Sequence, residues 1–336
     1  MLKQYNGYSL LQHNTFGIEA KAARFVEFGS TEALVAFLGD GFTGKHLVIG
    51  GGSNLLFAGD FEGTVFHSAI KEIDVVEEND DDILLRVGSG VNWDDLVAYT
   101  VEKGWCGLEN LSLIPGEVGA SAVQNVGAYG VEAGDLIEKV ETIRIADAAP
   151  CSFAKSDCRF AYRYSIFKAE EKGRHIVTYV TYRLAKSASF KLSYGNLSER
   201  VESLGGASLA NVRRAVCEIR EAKLPNPDRV GSAGSFFMNP IVPATVAATL
   251  RSAYPAIPQY PLPDGNVKLS AGWLIEQCGW KDAPHPHVGV YRHQALVVVN
   301  LGGATGSDVI AFANAVAASV KEKFGVGLNM EVNIIR

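Results

Sequence analysis

The pattern of apolar and polar positions along the chain predicts both helices and strands. Apolar residues recur at helical spacing in residues 31–38, directly after Ser30, whose hydroxyl is suited to cap a helix. Residues 82–104 predict a strand, a turn and a helix, and residues 137–147 and 175–186 alternate or are rich in β-branched side chains, which is typical of strands. The first half of the chain is therefore predicted to be α+β.

The composition changes near the middle of the chain. Residues 192–210 predict a polar loop region, and Ser208 then caps a helix that runs to about Ala222. Residues 223–234 are rich in turn residues, which indicates a junction between domains. The elements predicted beyond it are a strand at 235–238, helices near 243–254 and 270–278, a strand at 294–300, a helix at 307–323 and a strand at 328–335. This order predicts a small sheet covered by helices.

Composition and charge restrict the class of protein. A length of 336 residues with 47% hydrophobic and 20% charged residues predicts a globular protein of two or three domains. The net charge of −6 argues against nucleic acid as the main partner. Five irregularly spaced cysteines without a CxxC pair predict a reduced, cytoplasmic protein without disulfides or a zinc site. No signal peptide and no membrane segment are predicted.

Glycine-rich segments suggest a bound ligand. Residues 46–57 predict a buried strand, a GGGSN turn and a second apolar run, and Ser53 and Asn54 add donors to the backbone N–H groups of the glycines. The turn is neither a GxGxxG nor a Walker motif, so an ordinary tight turn is an alternative. Small residues also dominate residues 113–130 and 87–91, which form either a packing surface or a ligand wall. Together the three segments favour a large, phosphate-bearing cofactor.

Three residues are candidates for chemistry. Arg163 stands among aromatic and apolar residues, so it forms either a buried ion pair or an anion site. Glu331 lies in the apolar final strand, where a carboxylate is costly unless it is paired or functional. Ser235 in GSAGSFFMNP lacks the GxSxG pattern of a hydrolase, so a nucleophile is disfavoured and a hydroxyl that donates a proton is the alternative.

Several segments carry a resemblance to one known family. These segments, in chain order, are GGGSNLLF, LIPGEVGASAVQNVGAYGVE, YRYSIFK, KLPNP, GSAGSFFMNP, SAGWLIEQCGWK and RHQALVVVN. From about Thr15 to Glu331 the chain resembles UDP-N-acetylenolpyruvoylglucosamine reductase, in the subclass with an extra tyrosine loop. The resemblance implies an α+β fold, with a two-part FAD-binding region of the vanillyl-alcohol-oxidase/PCMH type (about 17–187) before a smaller substrate-binding domain. The implied domain boundaries are 1–70, 71–210 and 211–336.

The resemblance also implies the site residues. The residues that match the FAD site are Gly50, Gly51, Gly52, Ser53, Asn54, Leu55, Pro115, Gly116, Val118, Gly119, Ser121, Gln124, Asn125, Gly127, Ala128 and Tyr129. Those that resemble substrate contacts are Tyr194, Lys223, Asn239, Lys281 and Gln294. Arg163, Ser235 and Glu331 match the catalytic groups.

The implied reaction is the NADPH-dependent reduction of the enolpyruvyl ether of UDP-N-acetylglucosamine to UDP-N-acetylmuramate, in peptidoglycan synthesis. Non-covalent FAD would pass hydride to C3. Arg163 would hold the carboxylate, Glu331 would stabilise the developing charge and Ser235 would protonate C2. A cytoplasmic monomer is expected. The alternatives are an FAD-dependent oxidase of the same superfamily and a non-catalytic UDP-sugar binding protein.

Overall fold

The protein is described by a computed structural model that covers residues 1–227, 229–283 and 285–336. The strands are β1 (Leu2–Ser9), β2 (Lys21–Phe28), β3 (His46–Ile49), β4 (Leu55–Phe57), β5 (Phe61–Ser68), β6 (Ile73–Glu78), β7 (Asp82–Gly88), β8 (Gly127–Ala128), β9 (Val131–Glu132), β10 (Ile137–Arg144), β11 (Pro150–Ala154), β12 (His175–Ala185), β13 (Gly231–Ser232), β14 (Ile241–Pro243), β15 (Gln259–Pro261), β16 (Asn266–Leu269), β17 (Val288–Tyr291), β18 (Gln294–Asn300) and β19 (Asn333–Ile335).

The helices lie between these strands. They are α1 (Thr31–Gly39), α2 (Trp93–Glu102), α3 (Val118–Gln124), α4 (Ala133–Leu136), α5 (Lys155–Cys158), α6 (Leu197–Ser203), α7 (Leu209–Lys223), α8 (Ala244–Ala253), α9 (Ala271–Gln277) and α10 (Gly306–Phe324). Short 3-10 helices occur at Leu11–His13, Glu109–Leu111, Ile166–Lys168 and Trp280–Asp282. The mixture confirms the predicted α+β class. Within the described ranges, no helix is long and apolar enough to cross a membrane.

The chain divides into two compact units, each built from separate stretches of sequence. Unit 1 consists of Met1–Tyr8, Ala22–Gly51 and Glu62–Arg220. Unit 2 consists of Ser9–Lys21, Gly52–Phe61 and Glu221–Arg336. The two short stretches near the N-terminus therefore belong with the C-terminal part of the chain.

Unit 1 contains two sheets. One has the strand order β1-β2-β5-β3, with β3 and β5 parallel, and the other is antiparallel with the order β11-β10-β12-β7-β6. The predicted helix at 31–38 is confirmed as α1, and the Ser30 hydroxyl accepts a hydrogen bond from the N–H of Ala33 at 3.3 Å. In the core below the second sheet, the buried indole of Trp93 donates to the carbonyl oxygen of Leu111 at 2.9 Å.

Unit 2 contains small sheets with helices. Two antiparallel sheets have the orders β13-β18-β17 and β14-β16-β15, and β4 pairs with β19 in parallel. The long helix α10 begins at a capping box of Thr305 with Asp308 and ends at Gly325 in the left-handed conformation. Its apolar face packs on a core that includes Phe236 and Phe237.

Two predicted strands in unit 2 are only partly correct. Within 235–238 the structure has only a single β-bridge, between Phe237 and Met330, and the strand Gly231–Ser232 ends before the turn at Gly234, which has φ +68°. The final strand starts only at Asn333, so Glu331 precedes β19 and does not lie within it. The sequence pattern indicates that both segments are apolar and extended. Where a strand forms depends on which other segments offer hydrogen bonds to its backbone, and the sequence pattern does not show this.

The predicted loop region at 192–210 is also wrong in part. It contains the helix α6, in which Leu197 and Val201 are fully buried against residues of α7. The helix is short, so its two buried positions give little helical periodicity in the sequence. The helix predicted after Ser208 is confirmed as α7, since the Ser208 hydroxyl accepts from the N–H of Asn211 at 3.1 Å.

Candidate active site

The segment that carries Ser235 is held rigidly by its neighbours. The N–H of Phe236 donates to the carbonyl oxygen of Leu296 on β18 at 2.8 Å, and both Phe236 and Phe237 are buried. Gly234, with φ +68°, turns the chain just before the serine. Among the residues that the structure describes, none forms a hydrogen bond with the Ser235 hydroxyl, which is half-buried. The backbone at Ser235 is therefore held in place, and its hydroxyl is available to a ligand.

Glu331 lies on the segment that faces Ser235 from the C-terminal side. Its N–H donates to the carbonyl oxygen of Phe236 at 2.8 Å, and its own carbonyl oxygen accepts from the side-chain amide of Asn54 at 3.4 Å. Asn54 in turn accepts on its carbonyl oxygen from the backbone N–H of Asn333 at 3.1 Å. The backbones of the two predicted catalytic residues of unit 2 thus lie next to each other.

Arg163 occupies a strained turn in unit 1. Its φ is +54°, a conformation that costs a non-glycine residue about 1–2 kcal/mol. One terminal nitrogen donates to the carbonyl oxygen of Gly127 at 2.8 Å, and the Lys168 ammonium donates to the backbone carbonyl oxygen of Arg163 at 3.1 Å. The guanidinium also lies over the ring of Tyr162, 5.2 Å from its centroid. Strain of this kind persists where the surrounding contacts fix a side chain for function.

The two glycine segments approach each other closely in unit 1. A Cβ atom on Gly51 would lie 3.3 Å from the Cα atom of Gly116, and one on Gly119 would lie 2.8 Å from the Cβ atom of Ser89. Side chains at these positions would push the segments apart. The side-chain Oε1 of Gln124 is buried without a hydrogen-bond donor in the described part of the chain, and a buried carbonyl oxygen normally has one.

Two of the predicted cofactor residues use their side chains within the protein. The Ser121 hydroxyl lies 2.7 Å from the hydroxyl of Tyr182 in the core. The Asn125 amide donates to Glu132 at 2.7 Å and to Ala161 at 2.8 Å. These contacts hold α3 and its left-handed C-terminal residue, so their contribution to a ligand site is through the backbone.

Arg220 is a candidate that the sequence analysis missed. It lies near the end of α7, and its Nε–H donates to the carbonyl oxygen of Leu113 at 3.2 Å. Burial lowers the pKa of its guanidinium. The carboxylate of Asp94, whose charge acts on Arg220, is already bound by Arg213 through hydrogen bonds of 2.6 and 2.9 Å. A partly buried cation of this kind suits a ligand with anionic or carbonyl oxygens.

Asp94 holds the segment that precedes the second glycine stretch. Burial opposes ionisation of its carboxyl, but the hydrogen bonds from Arg213 and from the N–H of Leu113 outweigh burial and lower the pKa of Asp94. The bond from Leu113 is 2.5 Å long. Because Leu113 begins the LIPG sequence, this carboxylate fixes the start of the predicted cofactor wall.

The predicted substrate contacts differ in their surroundings. Tyr194 is 60% exposed, and its ring meets that of Tyr129 edge-on with 5.8 Å between centroids. Asn239 accepts from the N–H of Ala271, and Lys281 forms an ion pair with Glu276 at 2.9 Å. The remaining two are Lys223, which is exposed, and Gln294, whose Oε1 accepts from the N–H of Leu296 at 3.4 Å.

The predicted site residues fall in both units. Those in unit 1 are Gly50, Gly51, Pro115, Gly116, Val118, Gly119, Ser121, Gln124, Asn125, Gly127, Ala128, Tyr129, Arg163 and Tyr194. Those in unit 2 are Gly52, Ser53, Asn54, Leu55, Lys223, Ser235, Asn239, Lys281, Gln294 and Glu331. Within the described residues, no group of three or more His, Cys, Asp or Glu side chains could hold a metal ion.

Two family models match the chain. One is described as an FAD binding domain and matches residues 22–149. The other is described as the C-terminal domain of UDP-N-acetylenolpyruvoylglucosamine reductase and matches residues 226–335. The first range contains the predicted cofactor residues, and the second contains Ser235 and Glu331.

Whole-length relatives carry the same description. A protein of Bacteroides fragilis named UDP-N-acetylenolpyruvoylglucosamine reductase is 52% identical over 329 residues, which cover 98% of this chain and 99% of the relative. A protein of the same name from Porphyromonas gingivalis is 49% identical over 331 residues, 98% of each chain. The crystal structure of the Thermus caldophilus reductase matches with a TM-score of 0.68 at 22% identity, and it covers 100% of this chain and 99% of that one. That structure shows a common fold.

Proposed function

The chain belongs to the UDP-N-acetylenolpyruvoylglucosamine reductase family, and we propose that the residues described above perform the reduction for which the family is named. The protein is an FAD-dependent oxidoreductase that acts in the synthesis of a peptidoglycan precursor, with NADPH as the co-substrate. The observation that carries the assignment of catalytic roles is the Ser235 hydroxyl, which has no hydrogen-bond partner among the described residues and is carried by backbone that lies next to the Glu331 segment.

The residues that match the FAD site, together with Arg220, fit FAD. The close approach of Gly51 to Gly116 leaves backbone without side chains along both segments, as binding a diphosphate through N–H groups requires. The buried Oε1 of Gln124 has no hydrogen-bond donor among the described residues, and Arg220 is a partly buried cation suited to ligand oxygens. We propose that the matched residues from Gly50 to Leu55 and from Pro115 to Tyr129 hold the cofactor.

FAD, when bound, supplies the hydride that reaches C3 of the enolpyruvyl group. As that bond forms, negative charge develops at C2 and spreads into the substrate carboxylate. The guanidinium of Arg163 holds this carboxylate in the proposed mechanism, and the carboxyl group of Glu331 helps to stabilise the charge. The Ser235 hydroxyl donates its proton to C2, which completes the lactyl ether.

Substrate binding is proposed to use groups suited to a nucleoside diphosphate sugar. Lys223 and Lys281 offer ammonium groups for the diphosphate, and Asn239 and Gln294 offer amides. Tyr194 closes over the nucleotide. The three segments 1–70, 71–210 and 211–336 are proposed as two FAD-binding subdomains and a substrate-binding domain. A cytoplasmic location is also proposed, which the five free cysteines support. A monomer is proposed as well, and size-exclusion chromatography tests it.

The function is tested by anaerobic stopped-flow at the flavin absorbance. We expect NADPH to bleach the purified yellow protein, and the enolpyruvyl substrate to restore the colour with formation of UDP-N-acetylmuramate. A protein reoxidised only by oxygen would instead be an oxidase of the same superfamily. A colourless protein that takes up no FAD would be a UDP-sugar binding protein, and either result would overturn the proposal.

A further inference from the structure

A buried asparagine joins two backbone segments of unit 1 that carry tyrosines of the proposed site. Asn110 lies in the 3-10 helix Glu109–Leu111 and is only 1% exposed. Its amide nitrogen donates to the carbonyl oxygen of Tyr129 at 2.9 Å and to the carbonyl oxygen of Lys191 at 2.8 Å. Both hydrogen atoms of the amide are therefore used, one for each segment.

The Lys191 segment is the base of the loop that carries Tyr194. The side chains of Phe190 and Leu192, on either side of Lys191, pack against the apolar cluster formed by α6 and α7. Three residues further on, Tyr194 is 60% exposed and is followed by Gly195 with φ +57°. The base of the loop is thus anchored while its tip reaches into solvent.

The backbone at Tyr129 is strained and is held by the second hydrogen bond of Asn110. Tyr129 has φ +48°, a strained conformation for a tyrosine, and its ring packs on the same apolar cluster as the loop base. Its ring meets that of Tyr194 edge-on. One asparagine therefore sets the backbone positions on which the contact between these two rings depends.

We propose that Asn110 is a positioning residue for the tyrosine loop, which fixes Tyr194 relative to Tyr129 and thereby sets the affinity for the nucleotide sugar. The inference rests on the proposed roles of Tyr129 at the cofactor and Tyr194 at the substrate. Because Asn110 is almost fully enclosed, the proposal has it act through these two tyrosines and not through contact with a ligand. Water cannot take the place of the two Asn110 hydrogen bonds in the folded protein, because the Asn110 side chain is almost fully enclosed.

The test is the variant Asn110→Asp, which keeps the shape but places a carboxylate against two carbonyl oxygens. In the FAD-loaded enzyme we expect KM for the enolpyruvyl substrate to rise about tenfold, which corresponds to about 1.4 kcal/mol. We expect kcat to change less than about twofold, and flavin reduction by NADPH to stay unchanged. Asn211→Asp is the matched control. The Asn211 side-chain amide also donates to a partly buried backbone carbonyl oxygen, that of Gly206, which lies in neither tyrosine segment.

A double-mutant cycle with Tyr194→Ala separates positioning from a general structural role. If Asn110 acts through Tyr194, Asn110→Asp has no further effect on KM once the tyrosine is absent. Additive effects would overturn the proposal. A wild-type enzyme inactive on the substrate would instead contradict the function, and an unaltered KM in Tyr194→Ala would contradict the role of the loop.

A second variant guards against misfolding. If Asn110→Asp does not fold, Asn110→Ala removes both donors without adding a charge. Hydrogen exchange of the FAD-loaded enzyme then reports the anchor directly. We expect faster exchange in residues 186–196 and unchanged exchange in α7, and equal protection of the loop in variant and wild type would overturn the proposal.

Discussion

The backbone N–H of Glu331 donates to the carbonyl oxygen of Phe236, the residue that follows Ser235, at 2.8 Å. A second bond, from the N–H of Met238 to the carbonyl oxygen of Asn329 at 2.9 Å, continues the pairing. These two hydrogen bonds pair the backbone of residues 236–238 with that of residues 329–331. The backbone pairing therefore places the proposed proton donor, Ser235, near Glu331.

Replacement of Ser235 by alanine removes the proposed proton donor and leaves the backbone register intact. We expect the variant to bind FAD and to be reduced by NADPH at the wild-type rate. Oxidation of its reduced flavin by the enolpyruvyl substrate should slow by a factor of about 10² to 10⁴, as for loss of a general acid. Anaerobic stopped-flow measures both steps, and Ser232→Ala, three residues earlier, is the control. A normal second step in Ser235→Ala would show that another group protonates C2.

The strained backbone of Arg163 separates the effects of replacing it by glycine or by alanine. Both variants lose the guanidinium, so we expect both to lose turnover of the enolpyruvyl substrate. Because glycine adopts φ +54° without strain, Arg163→Gly should be more stable than Arg163→Ala by about 1 kcal/mol. Urea unfolding of the two variants measures the difference. Equal stabilities would mean that this turn relaxes in solution.

Arg220 offers a test in which stability and ligand binding respond differently. Arg220→Met removes a partly buried charge and keeps most of the volume, so we expect the free energy of unfolding of the FAD-free protein to fall by less than about 1 kcal/mol. The dissociation constant for FAD should rise at least about tenfold, as followed by quenching of flavin fluorescence. The control is Arg214→Met on the same helix, where the arginine is exposed and bound to Glu218. A large loss of stability without a change in FAD binding would assign Arg220 a structural role only.

The lowered pKa of Asp94 predicts how stability depends on acid. Its contribution to stability is fully present above the ordinary aspartate pKa of about 3.9 and is lost as the pH falls through the lowered folded value. At neutral pH, Asp94→Asn should cost about 1.5–3 kcal/mol, because Arg213 loses a charged partner. The difference from wild type should shrink as the pH falls below about 4. Urea unfolding across pH checks this, with the exposed neighbour in Asp95→Asn as the control, which should show neither effect.

Burial of Cys158 predicts selective thiol chemistry. Burial raises the pKa of this thiol to about 12, so its thiolate fraction at pH 8 is on the order of a thousandfold below that of an ordinary cysteine. We expect iodoacetamide to modify the half-buried Cys151 in the native protein and to leave Cys158 unmodified. Peptide mapping by mass spectrometry reads both sites. Modification of Cys158 at a similar rate would show that α5 opens readily.

Local signals in the sequence predicted the elements that local interactions decide. The cap at Ser30, the helix after Ser208 and the strand at 294–300 depend on neighbours within a few positions, and all three are confirmed. The strand β1 was not predicted, because most of its residues are exposed and alternate little. The placement of Glu331 outside a strand likewise depends on partners far away in the sequence.

The residues of the candidate site likewise fall into those that local sequence motifs predicted and those that depend on distant segments. Arg163, Ser235 and Glu331 came from motifs whose residues are neighbours in sequence. Arg220 and Asn110 were missed, because the significance of each depends on carbonyl oxygens of other segments, such as Leu113 for the arginine. Charged residues on helices and asparagines in loops are common in any sequence. Arg220 and Asn110 differ from most of them in their burial in the folded protein, which the sequence does not show.

The parallel pair of β4 and β19 has a consequence for the order in which the protein can be assembled. The side chain of Asn54 and the backbone of Glu331 that it contacts are 277 positions apart in sequence. During translation, residues 52–61 leave the ribosome early and must wait for residues 333–335 before their edge is paired. Unit 1 has no such delay, since its last residue is Arg220. Glu331 is thus positioned only in the closing step of unit 2, so the proposed catalytic carboxylate takes its place only after the last strand of the chain has been synthesised.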